Sequence, residues 1–194
     1  MQENIYKIDC GNQFGTWNDN ISKFMYFDST KEILDIINPN GIIADYGGAN
    51  GLLKKFIPSS ISIDIDTTKN PDIVDNIITH KGSYDFIFMR YILHYLNDYE
   101  VLTLFNNIKS YHKGKVLIQQ FVNEDLKSKY FNSINEFKYF RTQNQLLALL
   151  PQGTIVYNKT YQVTEQFYKN RLNNHNAKPH LENIIAYLID YGKE

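Results

Sequence analysis

The stretch that most restricts the fold is residues 41–58. Gly41-Ile42-Ile43-Ala44-Asp45 is a short apolar run that closes on a glycine-rich turn, Tyr46-Gly47-Gly48-Ala49-Asn50-Gly51. Leu52-Leu53-Lys54-Lys55-Phe56 follows with helix-like spacing before Pro58. A near-continuous apolar strand is buried on both faces, and proline ends the helix behind it, so this is the opening of a βαβ unit. Further strands are expected at Ser60–Asp64, Tyr84–Met89 and Lys115–Gln119. A helix over Tyr99–Tyr111 is marked by Val101, Leu102, Leu104, Phe105 and Ile108. Ser29-Thr30-Lys31-Glu32 predicts a capped helix ending near Asn38-Pro39, and Thr142–Leu150 predicts another. Thr154–Tyr157 and Tyr161–Phe167, on either side of Asn158-Lys159-Thr160, predict a hairpin, and His180–Tyr191 an amphipathic helix. Alternating strands and helices predict an α/β, Rossmann-like fold. Its central sheet is mostly parallel with helices on both faces, and a C-terminal antiparallel hairpin closes it. Its ligand crevice lies at the carboxyl ends of the strands. A chain of 194 residues suits one domain, divided as 1–40 (N-terminal lid and helix), 41–170 (core) and 171–194 (C-terminal extension).

The Asp45–Gly51 turn suits a nucleotide. Small residues let backbone approach a ligand, and exposed N–H groups at a helix start can hold a carboxylate. The dinucleotide fingerprint needs glycine at positions 46, 48 and 51, but position 46 is tyrosine, which leaves NAD as the second choice of cofactor.

Asp45, Gly47 and Gly51, with Ala49 between them, resemble the acid-x-Gly-x-Gly-x-Gly pattern of class I S-adenosylmethionine-dependent methyltransferases. The ordered company extends the resemblance over residues 30 to 170: Asp64 ends the second strand, Pro71–Ile77 follows, and Tyr84–Phe88 comes next. It implies S-adenosylmethionine as cofactor and S-adenosylhomocysteine as product. Asp45 would orient the methionine ammonium, and the Gly47-Gly48 to Gly51 turn would cover the methionine carboxylate and ribose. Asp64 would accept both ribose hydroxyls, with Asp66 as its competitor. Asp75, in the segment with Asn76, would accept from the adenine amine, with Ile65 and Ile77 against the ring.

Phe88–Gln120 resembles more narrowly the catalytic region of small-molecule O-methyltransferases of the caffeate type, and His94 falls on their general base. Imidazole titrates near neutral pH, so a histidine there suits removal of a hydroxyl proton. The two carboxylates that support the base in that family are replaced by Gln120 and Gln145. An amide orients imidazole but does not stabilise imidazolium as a carboxylate does. The alternative is the Leu-His-His-Leu-like turn of small methyltransferases, where the histidine orders the cleft without proton transfer.

Substrate contacts are expected from Phe14, Trp17 and Tyr26 in a lid over residues 10–28, from Tyr91 and Gln120 at the strand ends, and from Tyr139 in the aromatic Phe121–Phe140 segment. Arg90 is expected at the donor site, meeting an acidic acceptor or pairing with Asp85. The expected reaction is methyl transfer to oxygen or nitrogen of a small-molecule acceptor in a biosynthetic step. The alternatives are a peptide or RNA methyltransferase and a non-catalytic donor-binding partner subunit. A net charge of −1 provides no broad basic surface for nucleic acid. Met89-Arg90-Tyr91-Ile92 lacks the Asn/Asp-Pro-Pro motif of base-amine methylation, and Cys10 lies far from the motif strands. His175 and His180 have no acidic partner at metal-ligand spacing, so no metal is expected. One cysteine, no leader and no apolar run near ~18 residues point to a cytoplasmic protein away from membranes.

Overall fold

The computed structural model describes residues 6–8, 27–49, 51–122, 139–163 and 180–193. Its strands are β1 (Tyr6–Ile8), β2 (Ile43–Tyr46), β3 (Ile61–Asp64), β4 (Ile73–Val74), β5 (Phe86–Arg90), β6 (Lys115–Val122), β7 (Thr154–Val163) and β8 (His180–Asp190). They form one sheet in the order β1-β7-β8-β6-β5-β2-β3-β4. Every pairing is parallel except the two that β8 makes with β6 and β7. The chain leaves β2 toward β3 on one side and returns through β5 on the other. A topological switch point therefore lies between β2 and β5, where a crevice opens beyond the strand ends.

Alternation along the strands divides the core into two layers. Ala44, Tyr46, Ile87, Met89, Val116 and Ile118 pack against α2 (Asp98–Tyr111) through Val101, Leu104, Phe105 and Ile108. Ile43, Phe86, Phe88 and Leu117 face α1 (Phe27–Ile37) through Ile33, and Leu53 beside it. The i, i+3, i+4, i+7 spacing puts the four α2 side chains on one face. Helix α2 begins in a reciprocal capping box between Asn97 and Glu100.

The C-terminal third departs from two sequence expectations. β7 continues straight through Asn158-Lys159-Thr160 instead of turning, and His180–Asp190 is strand β8 rather than a helix. The antiparallel pair at this end is thus β7 with β8. Ile184 and Ala186 face one core layer while Ile185, Tyr187 and Ile189 face the other, so β8 is buried on both sides and hides its period of two. In β7, side chains two apart share a face. Tyr157 and Lys159 both reach Glu32 of α1, at 2.7 and 2.8 Å, and the Tyr157 and Tyr161 hydroxyls meet at 2.9 Å. Burial pushes the Glu32 carboxyl up, but hydrogen bonds from Lys159 and Tyr157 outweigh it and hold the group below its usual range. That anchorage gives a polar, turn-like triplet a reason to stay in a strand.

Helical cover is reduced elsewhere. Leu52–Lys55 is a single 3-10 turn rather than an α-helix. Residues 75–85 hold no helix, and side chains stand in for one. The His80 ring bonds Asp75 at 2.7 Å and the Tyr84 hydroxyl at 2.9 Å, and it packs edge-on against Tyr46.

Candidate functional site

A cleft of about 720 Å³ occupies the carboxyl ends of β2, β3, β4 and β5. Gly47, Gly48 and Ala49 form one wall, Asp64, Ile65, Asp66 and Lys69 a second, and Asn76, Ile77 and Ile78 a third. Leu52, Arg90, Tyr91, Ile92, Tyr95, Leu96 and Glu100 complete it. Sequence reasoning anticipates the first three walls in large part. Lys69, Ile78 and Glu100 it misses, because only the fold brings the turns after β3 and β4 and the first turn of α2 to the β2 end, whereas the stretch after β5 follows a strand end and supplies Ile92, Tyr95 and Leu96 to the cleft as expected.

Glycine is required where the turn crosses the strand ends. At Gly47, φ is 70°, and an added Cβ would lie 2.5 Å from Ile92 Cγ1; at Gly48 it would lie 2.8 Å from the Asp45 carbonyl oxygen. Ala49 occupies a left-handed conformation with φ 45°. An L side chain there costs roughly 1–2 kcal/mol. Ala49→Gly is therefore expected to stabilise the protein by about 1 kcal/mol after the added chain entropy of glycine is subtracted. Denaturant unfolding reads this as a higher midpoint at unchanged slope, and a lower midpoint would contradict it.

Among the described residues of this turn, the N–H groups of Gly47, Gly48, Ala49 and Gly51 are committed elsewhere, contrary to the expectation that they hold a carboxylate. Gly47 N and Gly48 N donate to Ile63 O at 2.8 and 3.3 Å, and Gly51 N donates to Gly48 O at 2.8 Å. Ala49 N donates to Asp64 Oδ2 at 2.9 Å. The following one-turn 3-10 segment also lacks the aligned peptides of a longer helix.

Asp64 ends β3 with each carboxylate oxygen on one backbone N–H, Ala49 N for Oδ2 and Asp66 N for Oδ1, both at 2.9 Å. A carboxylate has about four acceptor sites, so two remain. Asp66, its competitor in the sequence, caps the next turn: Oδ1 accepts from Thr68 N at 2.9 Å and Thr68 Oγ1 at 2.6 Å, which hold the carboxyl below its usual range. Ile65 is 68% exposed and Ile77 is buried. Together with Ile78 they make an apolar slot. Asp75 is not among the slot's walls. Its Oδ2 is on His80, and its Oδ1 accepts from Asn76 N at 2.7 Å, so Asn76 stands at the cleft in its place.

Asp45 is also behind the surface. It is 1% exposed, with Oδ2 3.7 Å from Arg90 Nη2, and Arg90 is the one of the two that lines the cleft. Burial pushes the Asp45 carboxyl up, and the Arg90 guanidinium opposes this. Arg90 thus pairs with Asp45 and not with Asp85, which accepts from Ile42 N at 2.7 Å.

Tyr91 has φ 52°. Its ring stacks on Phe121 at 4.5 Å, and its hydroxyl accepts from Gln119 Nε2 at 2.7 Å. The same amide nitrogen reaches Ser29 Oγ at 2.9 Å, and Gln119 Oε1 accepts from Thr30 Oγ1 at 2.9 Å. Ser29 and Thr30 therefore lie within α1, which begins at Phe27, and they tie it to the cleft floor instead of capping it.

His94 does not line the cleft. It is buried in a small separate cavity with Gln120, Tyr139 and Arg141, its ring 4.3 Å from that of Tyr95. Gln120 Oε1 accepts from Leu93 N at 3.3 Å, which leaves Gln120 Nε2 to donate to His94 Nδ1 at 2.9 Å. In neutral imidazole one nitrogen accepts and the other carries the proton, so the proton is assigned to Nε2. Burial, with the nearby Arg141 charge, lowers the His94 pKa to about 3. The ring is neutral at pH 7. Gln145, the other position matched to a supporting carboxylate, accepts from Thr142 N at 2.9 Å in a capping box at α3 (Gln143–Leu147). Tyr139 belongs to the small cavity, its N–H on His94 O at 2.9 Å. Phe14, Trp17 and Tyr26 lie outside the described residues. Among the described residues no helix is long and apolar enough to cross a membrane, and no group of three or more His, Cys, Asp and Glu could hold a metal ion.

No family model and no curated protein matches the sequence. Solved structures share the fold. Magnesium protoporphyrin IX methyltransferase from Synechocystis PCC 6803, with bound S-adenosylhomocysteine, superposes at TM-score 0.59 and 14% identity, covering 87% of this chain and 84% of that one. A SAM-dependent methyltransferase from Methanosarcina mazei gives 0.55 at 14% identity, over 82% and 97%. Phosphoethanolamine N-methyltransferase 2 from Haemonchus contortus gives 0.56 at 14% identity, over 84% of this chain and 53% of that one. The sheet is that of the Rossmann-like methyltransferase fold.

Proposed function

We propose that this chain is an S-adenosylmethionine-dependent methyltransferase that transfers a methyl group to oxygen or nitrogen of a small molecule. The observation that carries the reading is Asp64. Its carboxylate is fixed at a strand end in the cleft wall by two backbone N–H groups and keeps two acceptor sites, a match for the vicinal hydroxyls of a ribose. The surroundings fit the rest of the donor. Ile65, Ile77 and Ile78 offer an apolar slot for a flat base beside Asn76, and the close Gly47-Gly48 backbone leads from there toward Arg90. The ligands named for three solved structures of this fold support the same reading: S-adenosylhomocysteine in two, with phosphomonomethylethanolamine beside it in one of them, and S-adenosylmethionine in the third.

Bound S-adenosylmethionine supplies a methyl group on a sulfonium, an electrophile that needs little activation. The protein's share is then placement and exclusion of water. Tyr91, Ile92, Tyr95 and Leu96 form the remaining wall, mostly apolar and aromatic, and Glu100 adds one acid at its rim. His94 holds the 93–120 contact behind this wall as a positioning residue, with Nδ1 occupied by an amide donor. An acceptor that brings its own lone pair, such as a neutral amine or an ionised oxygen, suits a cleft whose nearby histidine is buried. The single cysteine supports a cytoplasmic setting.

The test is incubation with donor labelled in the methyl group and a panel of small amines, phenols and carboxylic acids. Label is expected in a small product, with stoichiometric S-adenosylhomocysteine. Label found only in protein or RNA, or donor bound without any transfer, would replace this reading with one of its alternatives.

A further inference from the structure

We propose that Arg90, held by the buried Asp45, recognises the α-carboxylate of the donor, and that Asp45 acts through Arg90 and not on the ammonium. The inference rests on the donor reading above and deepens it by naming what the cleft demands at the amino-acid end.

Three observations carry it. First, a carboxylate entering beside the Gly47-Gly48 backbone needs donors, and the N–H groups of Gly47, Gly48, Ala49 and Gly51 already have acceptors within the protein. Second, Arg90 is the last residue of β5, on the same sheet face as Asp45 and Phe88. Its guanidinium is 12% exposed, lies 6.0 Å from the Phe88 ring centroid and lines the cleft, whereas Asp45 does not. Lys69, the other cation in the wall, stands on the turn after β3 beside Asp66, on the side of Asp64 and the apolar slot.

Third, the pair is incompletely satisfied. The 3.7 Å separation exceeds the ~2.7–2.9 Å of a charge-assisted hydrogen bond, and Nε of Arg90 has no hydrogen-bond partner. A buried carboxylate beside a guanidinium offsets the cost of burying either charge. It also fixes the guanidinium in place while leaving N–H donors of its planar fork for a second anion. A lone acid at Asp45 would favour the ammonium. The Asp45–Arg90 pair instead presents a positive face, and carboxylate and guanidinium match as two parallel hydrogen bonds.

The experiment is calorimetric titration of the full chain with three probes. S-adenosylhomocysteine carries ammonium and carboxylate, its decarboxylated analogue carries only the ammonium, and 5′-methylthioadenosine carries neither. Wild type is expected to prefer S-adenosylhomocysteine to the decarboxylated analogue by about 50-fold. Arg90→Gln should remove that preference while leaving 5′-methylthioadenosine within twofold, which also reports that the variant is folded. Asp45→Asn should leave the decarboxylated analogue no weaker than in wild type. Equal affinities of the first two probes in wild type would overturn the proposal. So would a uniform loss of all three in Arg90→Gln, or a weakened decarboxylated analogue in Asp45→Asn. Failure of all three probes to bind wild type would instead remove the donor reading on which the inference stands.

Discussion

Arg141→Ala is expected to lower the unfolding free energy by about 3 kcal/mol, because one planar fork holds the whole turn that follows β5. Nη1 donates to Leu93 O at 2.8 Å and Tyr139 O at 3.2 Å. Nη2 donates to Leu96 O at 2.7 Å and Asp98 Oδ1 at 2.7 Å, and Nε donates to the same oxygen at 3.0 Å. Asp98 is 72% exposed, so the ion pair itself contributes at most about 1 kcal/mol. The larger part comes from carbonyls left without a donor, about 1–3 kcal/mol for each one that stays buried. Lysine brings a charge but no fork, so Arg141→Lys should recover less than half. Urea unfolding at unchanged slope measures both. Loss of less than 0.5 kcal/mol in Arg141→Ala, as at an ordinary surface site, would contradict this view of the turn (compare ~0.5 kcal/mol for surface substitutions). The same turn carries Tyr95 and Leu96 in the cleft wall, so weaker ligand binding should accompany the loss.

Asp64→Ala is expected to weaken S-adenosylhomocysteine about 100-fold, the equivalent of about 2.7 kcal/mol for two hydrogen bonds to a charged acceptor. Asp64→Asn should be nearly as damaging. Ala49 N and Asp66 N approach different oxygens of the carboxylate, and an asparagine NH₂ would confront one of these donors with another. Stability should change little, because Asp64 is partly exposed and water can replace the lost acceptor. Binding within threefold of wild type in Asp64→Ala would remove Asp64 from the site.

Much of the fold is legible in the sequence where local chemistry and tertiary demand agree. β2, β3, β5 and β6 are short apolar runs bounded by Gly, Pro or polar turns, and α2 shows Val101, Leu104, Phe105 and Ile108 at helical spacing beneath its Asn97–Glu100 cap. β7 is legible at its two ends, Thr154–Tyr157 and from Tyr161 on, but not across Asn158-Lys159-Thr160, and β8 is not legible in this way. Ile184-Ile185-Ala186-Tyr187-Leu188-Ile189 is apolar on both strand faces, so neither period stands out, and Lys159 in β7 has its ion-pair partner, Glu32, 127 positions away. The short β1, paired with β7, carries no signal of its own in three residues.

The site divides similarly. Gly47, Gly48, Asp64, Ile65, Asn76, Ile77, Arg90 and Tyr91 lie at the cleft as their places at strand ends suggest. What each one bonds to depends on neighbouring strands. The Gly47 and Gly48 N–H groups are taken by Ile63 of β3, Asp75 by His80, and Asp45 by Arg90 of β5. Gln145 had a local explanation available, since Thr142-Gln143-Asn144-Gln145 has the spacing of a capping box. Gln120 is the reverse case: its contact with His94 follows the resemblance, while the proton it assigns to Nε2 depends on Leu93 N in the three-dimensional structure.

The most direct measurement of the central claim is calorimetry of the wild-type chain with S-adenosylmethionine, S-adenosylhomocysteine and NAD. The expected result is saturable binding of the first two at one site per chain, with dissociation constants of roughly 1–100 µM, within the range usual for enzyme ligands, and no heat from NAD. No binding of either adenosyl compound at millimolar concentration, or binding of NAD in their place, would contradict it.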